Sequence, residues 1–328
     1  MQGKIAIEEH FAVGKADEDA ARRLQHAESW AETARRLVDF HDLRLRDMDS
    51  NGIEYAILSL NAPAVQMILD TKEAIEAARR YNDYLAEQVA RRPDRFGGFA
   101  ALPMQDPEAA ARELTRCVRE LGFHGALVNG FTQKDVPDSV IYYDLPQYRP
   151  FWACVQDLDV PFYMHPRTAV YERAQPYEGH PWLFSSAWGF AVETSLHILR
   201  LIGSCLFDEF PRLQIVIGHL GERIPYDMWR IDHRIKTIPA GYPAKKPMSA
   251  YMKSNVHITT SGHFDDVAFQ CAIAQMGVDR IMFAVDYPME VMKDGASWFD
   301  STPLLSEADR AKIGRANTIK LFKLGLSD

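Results

Sequence analysis

Short runs of apolar, β-branched and aromatic residues recur along the chain. Between them lie longer stretches in which apolar positions return every three or four residues. Eight such runs read as strands, at 4–10, 54–60, 96–102, 123–129, 160–165, 213–219, 255–260 and 279–286. Each is followed by a candidate helix. The clearest are 71–92, opened by Thr71, and 106–121, where Asp106 and Pro107 supply an N-cap and a first-turn proline and Gly122 a stop. Strand cores that are nearly continuous in apolar residues fit a parallel sheet covered by helices, and eight units are what a closed (β/α)8 TIM barrel requires. An open doubly wound sheet is the alternative, but it would more naturally carry a glycine fingerprint after the first strand, where this chain has Glu8, Glu9 and His10. No repeat beyond the βα unit and no linker divides the chain, so 1–328 reads as a single α/β barrel domain. Two insertions interrupt the rhythm, at 11–50 after the first strand, with an acidic and basic helix, and at 166–190 after the fifth.

Composition narrows the partners. With 37 Lys and Arg against 45 Asp and Glu the net charge is −8, which argues against nucleic acid or an anionic membrane surface. The opening MQGKIAIEEHF lacks the basic and long apolar regions of a signal peptide, and no run approaches the roughly 18 apolar residues of a membrane span. A cytoplasmic protein is expected. Cys117, Cys154, Cys205 and Cys271 are far apart and form no CxxC pair, so neither a disulfide framework nor a thiolate zinc site is indicated.

In a closed α/β barrel the strand tips and βα loops share one mouth, so polar residues at those tips are candidates for chemistry. The first strand ends in Glu8, Glu9 and His10; residues two apart point to one side, so Glu8 and His10 face one centre while Glu9 points away. The fifth strand ends at His165, the sixth at His219 and the eighth at Asp286. Carboxylate oxygen and neutral imidazole nitrogen suit a divalent ion such as zinc or manganese, which gives a mononuclear site of Glu8, His10, His165 and Asp286. Any one of these histidines alone is better read as a strand-end cap; the four together at matching positions read as a site. His219 is followed three residues later by Glu222, a spacing that lets the carboxylate orient the imidazole and support its protonated form. The same spacing also fits a helix N-terminus with Glu in its first turn.

The chain resembles the amidohydrolase superfamily through ExH at the end of the first strand, histidine after the fifth, GHLGE after the sixth and aspartate after the eighth. Within it the chain is similar to the branch of non-oxidative aromatic acid decarboxylases, and most to its γ-resorcylate (2,6-dihydroxybenzoate) group. GKIAIEEHFAV, LSLNAPAVQ, LDVPFYMHPR, GHPWL, IVIGHLGE, ITTSGHF and DRIMFAVDYPME carry the resemblance along nearly the whole chain. His10, where 2,3-dihydroxybenzoate and salicylate decarboxylases usually carry alanine, leans towards that group. Met289, where relatives commonly have an aromatic residue, departs from the pattern and implies a differently shaped pocket.

The resemblance implies one divalent ion per subunit, zinc or manganese with magnesium a third option, a small aromatic hydroxy acid as substrate, and a homotetramer or dimer. Asp286 is the implied proton donor to the ring, with His219, oriented by Glu222, the second candidate. Around them Asn129 is a candidate to hydrogen-bond a substrate hydroxyl or carboxylate, Phe11 and Trp188 to wall the ring, His263 to line the mouth, and Arg230 to brace Glu222 or meet an opposing subunit. Three alternatives stay open: a 2,3-dihydroxybenzoate or salicylate decarboxylase, a metal-dependent lactonase or amidohydrolase, and a non-catalytic barrel that binds a phenolic ligand.

Overall fold

The computed structural model describes residues 1–14 and 27–327. Its strands, in chain order, are β1 (Lys4–Phe11), β2 (Ile53–Leu60), β3 (Phe96–Gly98), β4 (Ala126–Asn129), β5 (Thr132–Lys134), β6 (Val136–Ile141), β7 (Phe162–His165), β8 (Ile215–Ile217), β9 (Val256–Thr259) and β10 (Ile281–Met282). All eight predicted strands are present, most of them shorter than expected. The pair β5 and β6 was not anticipated: it forms a separate antiparallel hairpin on the connection after β4.

Strands β1, β2 and β3 pair in one parallel sheet, and β4, β7, β8, β9 and β10 in another. Parallel bridges join them at both seams, Ala100 to Ala126 and Glu9 to Tyr287. At the second seam His10 N donates to Tyr287 O at 2.7 Å and Asp286 N to Glu8 O at 3.0 Å. The sheet therefore closes on itself as an eight-stranded α/β barrel, with the TIM-barrel order expected from the sequence.

Two apolar clusters follow from strand alternation. Ile5, Ile7, Ile57, Leu127, Val216 and Met282 fill the barrel, with Phe322 of the C-terminal helix (Asn317–Phe322) packed on Phe99 at 5.4 Å between ring centroids. Ala6, Phe11, Ala56 and Leu58 belong to the outer layer beneath the helices. In β1 that alternation is broken. Ala6 pairs with Ala56 but Glu9 with Leu58, so three steps on β1 match two on β2. This is a β-bulge, a device that re-aims side chains beside functional sites. The bulge lets Glu8 and His10 face the barrel centre although Ile5 and Ile7 do so too.

The helix expected at 71–92 spans Thr71–Arg91, and its N-cap is Asp70, whose carboxylate accepts from Glu73 N at 2.7 Å. The helix Pro107–Arg119 is capped by Asp106 as expected. The first insertion carries helices Ala27–Leu37 and Leu43–Ser50; its stretch 15–26 lies outside the described residues. The second is a series of short 3₁₀ turns leading into Gly189–Gly203. Among the described residues no helix is long and apolar enough to cross a membrane.

Candidate active site

Glu8 and His10 from β1, His165 from the tip of β7 and Asp286 beyond β10 meet at the mouth of the barrel. Each offers one ligating atom, and these atoms lie within 4.8 Å of one another. His10 Nε2 is 3.0 Å from Asp286 Oδ1 and His165 Nε2 is 3.5 Å from Glu8 Oε1. His219 closes the group, with its Nε2 3.6 Å from both Glu8 Oε1 and Asp286 Oδ2.

Each of these side chains is held from behind. Glu8 Oε2 accepts from Tyr163 Oη, from Ser261 Oγ at 2.5 Å and from Thr259 Oγ1 at 3.2 Å. His10 Nδ1 pairs with Ser59 Oγ at 3.0 Å, and His165 Nδ1 with Asn129 Oδ1 at 2.8 Å. His219 Nδ1 lies 2.8 Å from Glu222 Oε1. Such partners fix the orientation of a ligand and tune its basicity. Tyr163, Thr259, Ser261 and Ser59 were missed from the sequence. The signal was there in alternation: Tyr163 is two residues before His165, and Thr259 and Ser261 are two apart at the tip of β9. Gly218 is required by close approach, because a Cβ there would sit 2.6 Å from Glu8 Oε2.

Burial sets the charges. Glu8 is fully buried, and desolvation raises its pKa despite the opposing pull of His219 and His10. Desolvation and the neighbouring His10 hold His165 well below the ordinary imidazole range, in the neutral form a cation needs. For His219 burial opposes the charge, but the carboxylates of Glu222, Glu8 and Asp286 outweigh it and lift its pKa well above ordinary. Asp286 shows the converse: burial would raise its pKa, yet hydrogen bonds and charge from His10 and His219 keep it ionised. Glu9, behind the site, is raised to about 8 by burial, with its hydrogen bond to Val285 N opposing.

One atom tests whether the set fits a metal. Glu8 Oε1 is buried without a hydrogen-bond partner, while Oε2 has three. A buried carboxylate oxygen without a donor is costly, and a cation among two carboxylates and two imidazoles would satisfy it. The donors present, oxygen and nitrogen without thiolate, suit zinc, manganese or magnesium.

Several expectations need correction. Phe11 does not wall the site: the bulge turns it with Glu9 to the outer layer, where it packs on Phe40 at 5.5 Å between centroids. Asn129 has its side-chain amide engaged with His165 and with Leu60 O, which makes it a residue that positions a ligand. Arg230 is exposed on the helix Ile224–Thr237, and no contact with Glu222 is found among the described residues. Glu222 has no helical first turn around it, since His219 to Arg223 all adopt positive φ, and the contact with His219 is closed by a left-handed turn. Trp188 lies beside this turn, 47% exposed, with the Arg223 guanidinium 3.4 Å from its ring centroid. His263 is half-buried next to Gly262, whose backbone abuts His219 and Asp286.

The amidohydrolase family profile matches residues 10–324. The chain belongs to the amidohydrolase family. Among members of known activity, this amidohydrolase is 55% identical over 326 residues to the gamma-resorcylate decarboxylase of Rhizobium radiobacter, covering 99% of both chains. A crystal structure of 2,6-dihydroxybenzoate decarboxylase complexed with 2,6-dihydroxybenzoate superposes with a TM-score of 0.95 at 54% identity, covering 99% of this chain and 100% of that one. The dihydroxybenzoic acid decarboxylase of a Polaromonas species, solved with bound manganese and the inhibitor 2-nitroresorcinol, gives 0.96 at 53% identity, covering 100% and 98%.

Proposed function

We propose that this amidohydrolase is a metal-dependent, non-oxidative decarboxylase that converts 2,6-dihydroxybenzoate reversibly to resorcinol and carbon dioxide, with residues 1–328 acting as one barrel domain. The observation that carries this reading is a divalent-ion ligand set joined in one cluster to the imidazole of His219, 3.6 Å from the Asp286 carboxylate. The substrate follows from similarity to decarboxylases of that acid.

Direct loss of carbon dioxide would leave charge in an aryl σ orbital that the ring cannot stabilise, so the carbon bearing the carboxylate must be protonated first. When bound, a divalent ion supplies Lewis acidity that favours the electron-rich phenolate form of the substrate. Glu8, His10, His165 and Asp286 would hold it. His219 stores the proton, because Glu222 and its other carboxylate neighbours favour the imidazolium. Asp286, which His10 and His219 hold ionised in the resting site, is placed to carry that proton from His219, 3.6 Å away, to the ring carbon. Cleavage of the carbon–carbon bond then restores aromaticity and releases carbon dioxide.

Manganese is the first choice for the ion, from the Polaromonas relative, with zinc the alternative. The four cysteines are free, which suits the reducing cytoplasm. Tyr226, 81% exposed, and Trp229, 70% exposed, share one helix with Arg230 and support a homo-oligomer, tetramer or dimer, in which that surface is covered. Sedimentation velocity measures the state.

The reading is tested by incubating manganese-loaded protein with 2,6-dihydroxybenzoate, 2,3-dihydroxybenzoate and salicylate and following each by chromatography. Fastest loss of the 2,6-isomer, and its formation from resorcinol in high bicarbonate, is the expected result. Turnover of none of the three would refute it.

A further inference from the structure

The bulge that aims Glu8 and His10 inward sends Glu9 the other way, into the seam between the first and last strands. There Glu9 Oε1 accepts from Val285 N at 3.0 Å, immediately before Asp286. On the same seam Arg44, from the helix Leu43–Ser50, donates from Nη2 to His10 O at 2.5 Å and from Nε to Asp39 O at 3.2 Å. Its guanidinium lies 4.7 Å from the ring centroid of Tyr287, whose carbonyl accepts from His10 N. Both side chains are wholly buried.

Neither is there for economy. Glu9 Oε2 and Arg44 Nη1 are buried without a hydrogen-bond partner, and leaving such atoms unpaired costs free energy that an apolar pair of similar volume would avoid. What the two groups do make is specific. Each spends an atom on the backbone of a segment that carries a ligating side chain, His10 on one side of the seam and Asp286 on the other.

We infer that Glu9 and Arg44 are positioning residues for the metal centre, a buried brace that sets the separation of His10 and Asp286 across the seam closing the barrel. The inference rests on the metal-site reading of Glu8, His10, His165 and Asp286. His10 and Asp286 approach each other only here, and the paired stretch of β10 ends at Met282, four residues before Asp286. Without the brace, the register of the chain beyond β10 against β1 would rest on a few backbone hydrogen bonds.

The test compares metal-free wild type with Glu9→Leu, Glu9→Gln and Arg44→Met, reading manganese affinity by competition with a chromogenic chelator and thermal unfolding with and without the ion. Glu9→Gln keeps an oxygen for Val285 N and should bind manganese within about threefold of wild type, whereas Glu9→Leu and Arg44→Met should bind about 10- to 100-fold more weakly. Metal-free unfolding temperatures should stay near wild type in all three. A merely structural role predicts the reverse: lower metal-free stability and unchanged affinity. Should Glu9→Leu not fold, Arg44→Met decides. Collapse of both metal-free proteins, or wild-type affinity in either folded variant, overturns the inference. A wild type that binds no divalent ion, or a Glu8→Gln variant that binds as well as wild type, refutes the site itself and the brace with it.

Discussion

His219 and Glu222 touch at 2.8 Å across a turn in which every residue from His219 to Arg223 has positive φ. Only Gly221 takes this conformation freely; for the other four it costs roughly 1 kcal/mol or more each, strain that the surrounding fold must hold. The turn places a nearly buried carboxylate behind the imidazole that faces Glu8 and Asp286. Glu222→Gln preserves shape and removes the charge. It should lower kcat by about 10- to 100-fold with KM within a few-fold, in a protein of wild-type circular dichroism. An unchanged kcat would dismiss the pair as a turn-stabilising contact.

Asp286→Asn removes a ligand oxygen and the group proposed to touch the ring. Turnover should fall by more than about 10³-fold while the fold persists. Retention of a tenth of the wild-type rate would exclude Asp286 as the proton carrier, whatever its role in metal binding.

Removing the ion should also cost stability, since two buried carboxylates then lose their counter-charge. Dialysis against a chelator should abolish turnover and lower the unfolding temperature. Restoring manganese at about 100 times its dissociation constant should recover activity and about 2.7 kcal/mol of stability. Differential scanning fluorimetry measures the second effect independently of catalysis.

Gly218→Ala would place a methyl group 2.6 Å from Glu8 Oε2 and 2.9 Å from Ser261 Oγ, both fixed by other bonds. Metal affinity and activity should drop at least tenfold. Gly203→Ala, where the nearest neighbour is Tyr242 at 4.0 Å, should change neither. Equal behaviour of the two variants would show that Glu8 has room to move.

Acid should unfold the protein through histidines away from the site. Burial pushes His197 and His257 down to about 3, with Arg200 and Arg280 adding to the effect. Both are neutral in the fold; His197 Nε2 accepts from Tyr143 N. Above their ordinary pKa of 6.5 neither state binds the extra proton and stability is unaffected. As pH falls from 6.5 towards 3 only the unfolded chain takes it up, so each histidine costs about 1.4 kcal/mol per pH unit in that window. His197→Gln, measured by urea unfolding at pH 7, 6 and 5, should show a slope shallower by about that amount; an identical slope would count against a neutral buried His197.

Much of this was legible in the sequence because a parallel barrel writes its strands as separate apolar runs and puts its chemistry at their ends. Glu8, His10, His165, His219 and Asp286 could be picked out as strand-end residues, and the structure brings them together. What could not be read depended on partners. The β1 bulge exists only in the register against β2, so Phe11 looked like a pocket wall when it belongs to the helix layer. The hairpin of β5 and β6 lacks an apolar alternation, with Val136, Pro137 and Asp138 exposed, and gave no strand signal. Asn129 sits at a strand tip as a substrate ligand would, but its neighbour at the next tip is His165, and it serves that residue instead.

Hydroxyls on β7, on β9 and on the loop beyond β9 bond a single oxygen of Glu8, leaving the carboxylate its other oxygen to offer. With a cation bound, Glu8 would serve as a one-oxygen arm. A substrate offering two oxygens of its own would then find room that a two-oxygen Glu8 would take. Loosening the cage, as in Tyr163→Phe, would let Glu8 chelate through both oxygens and compete with that substrate.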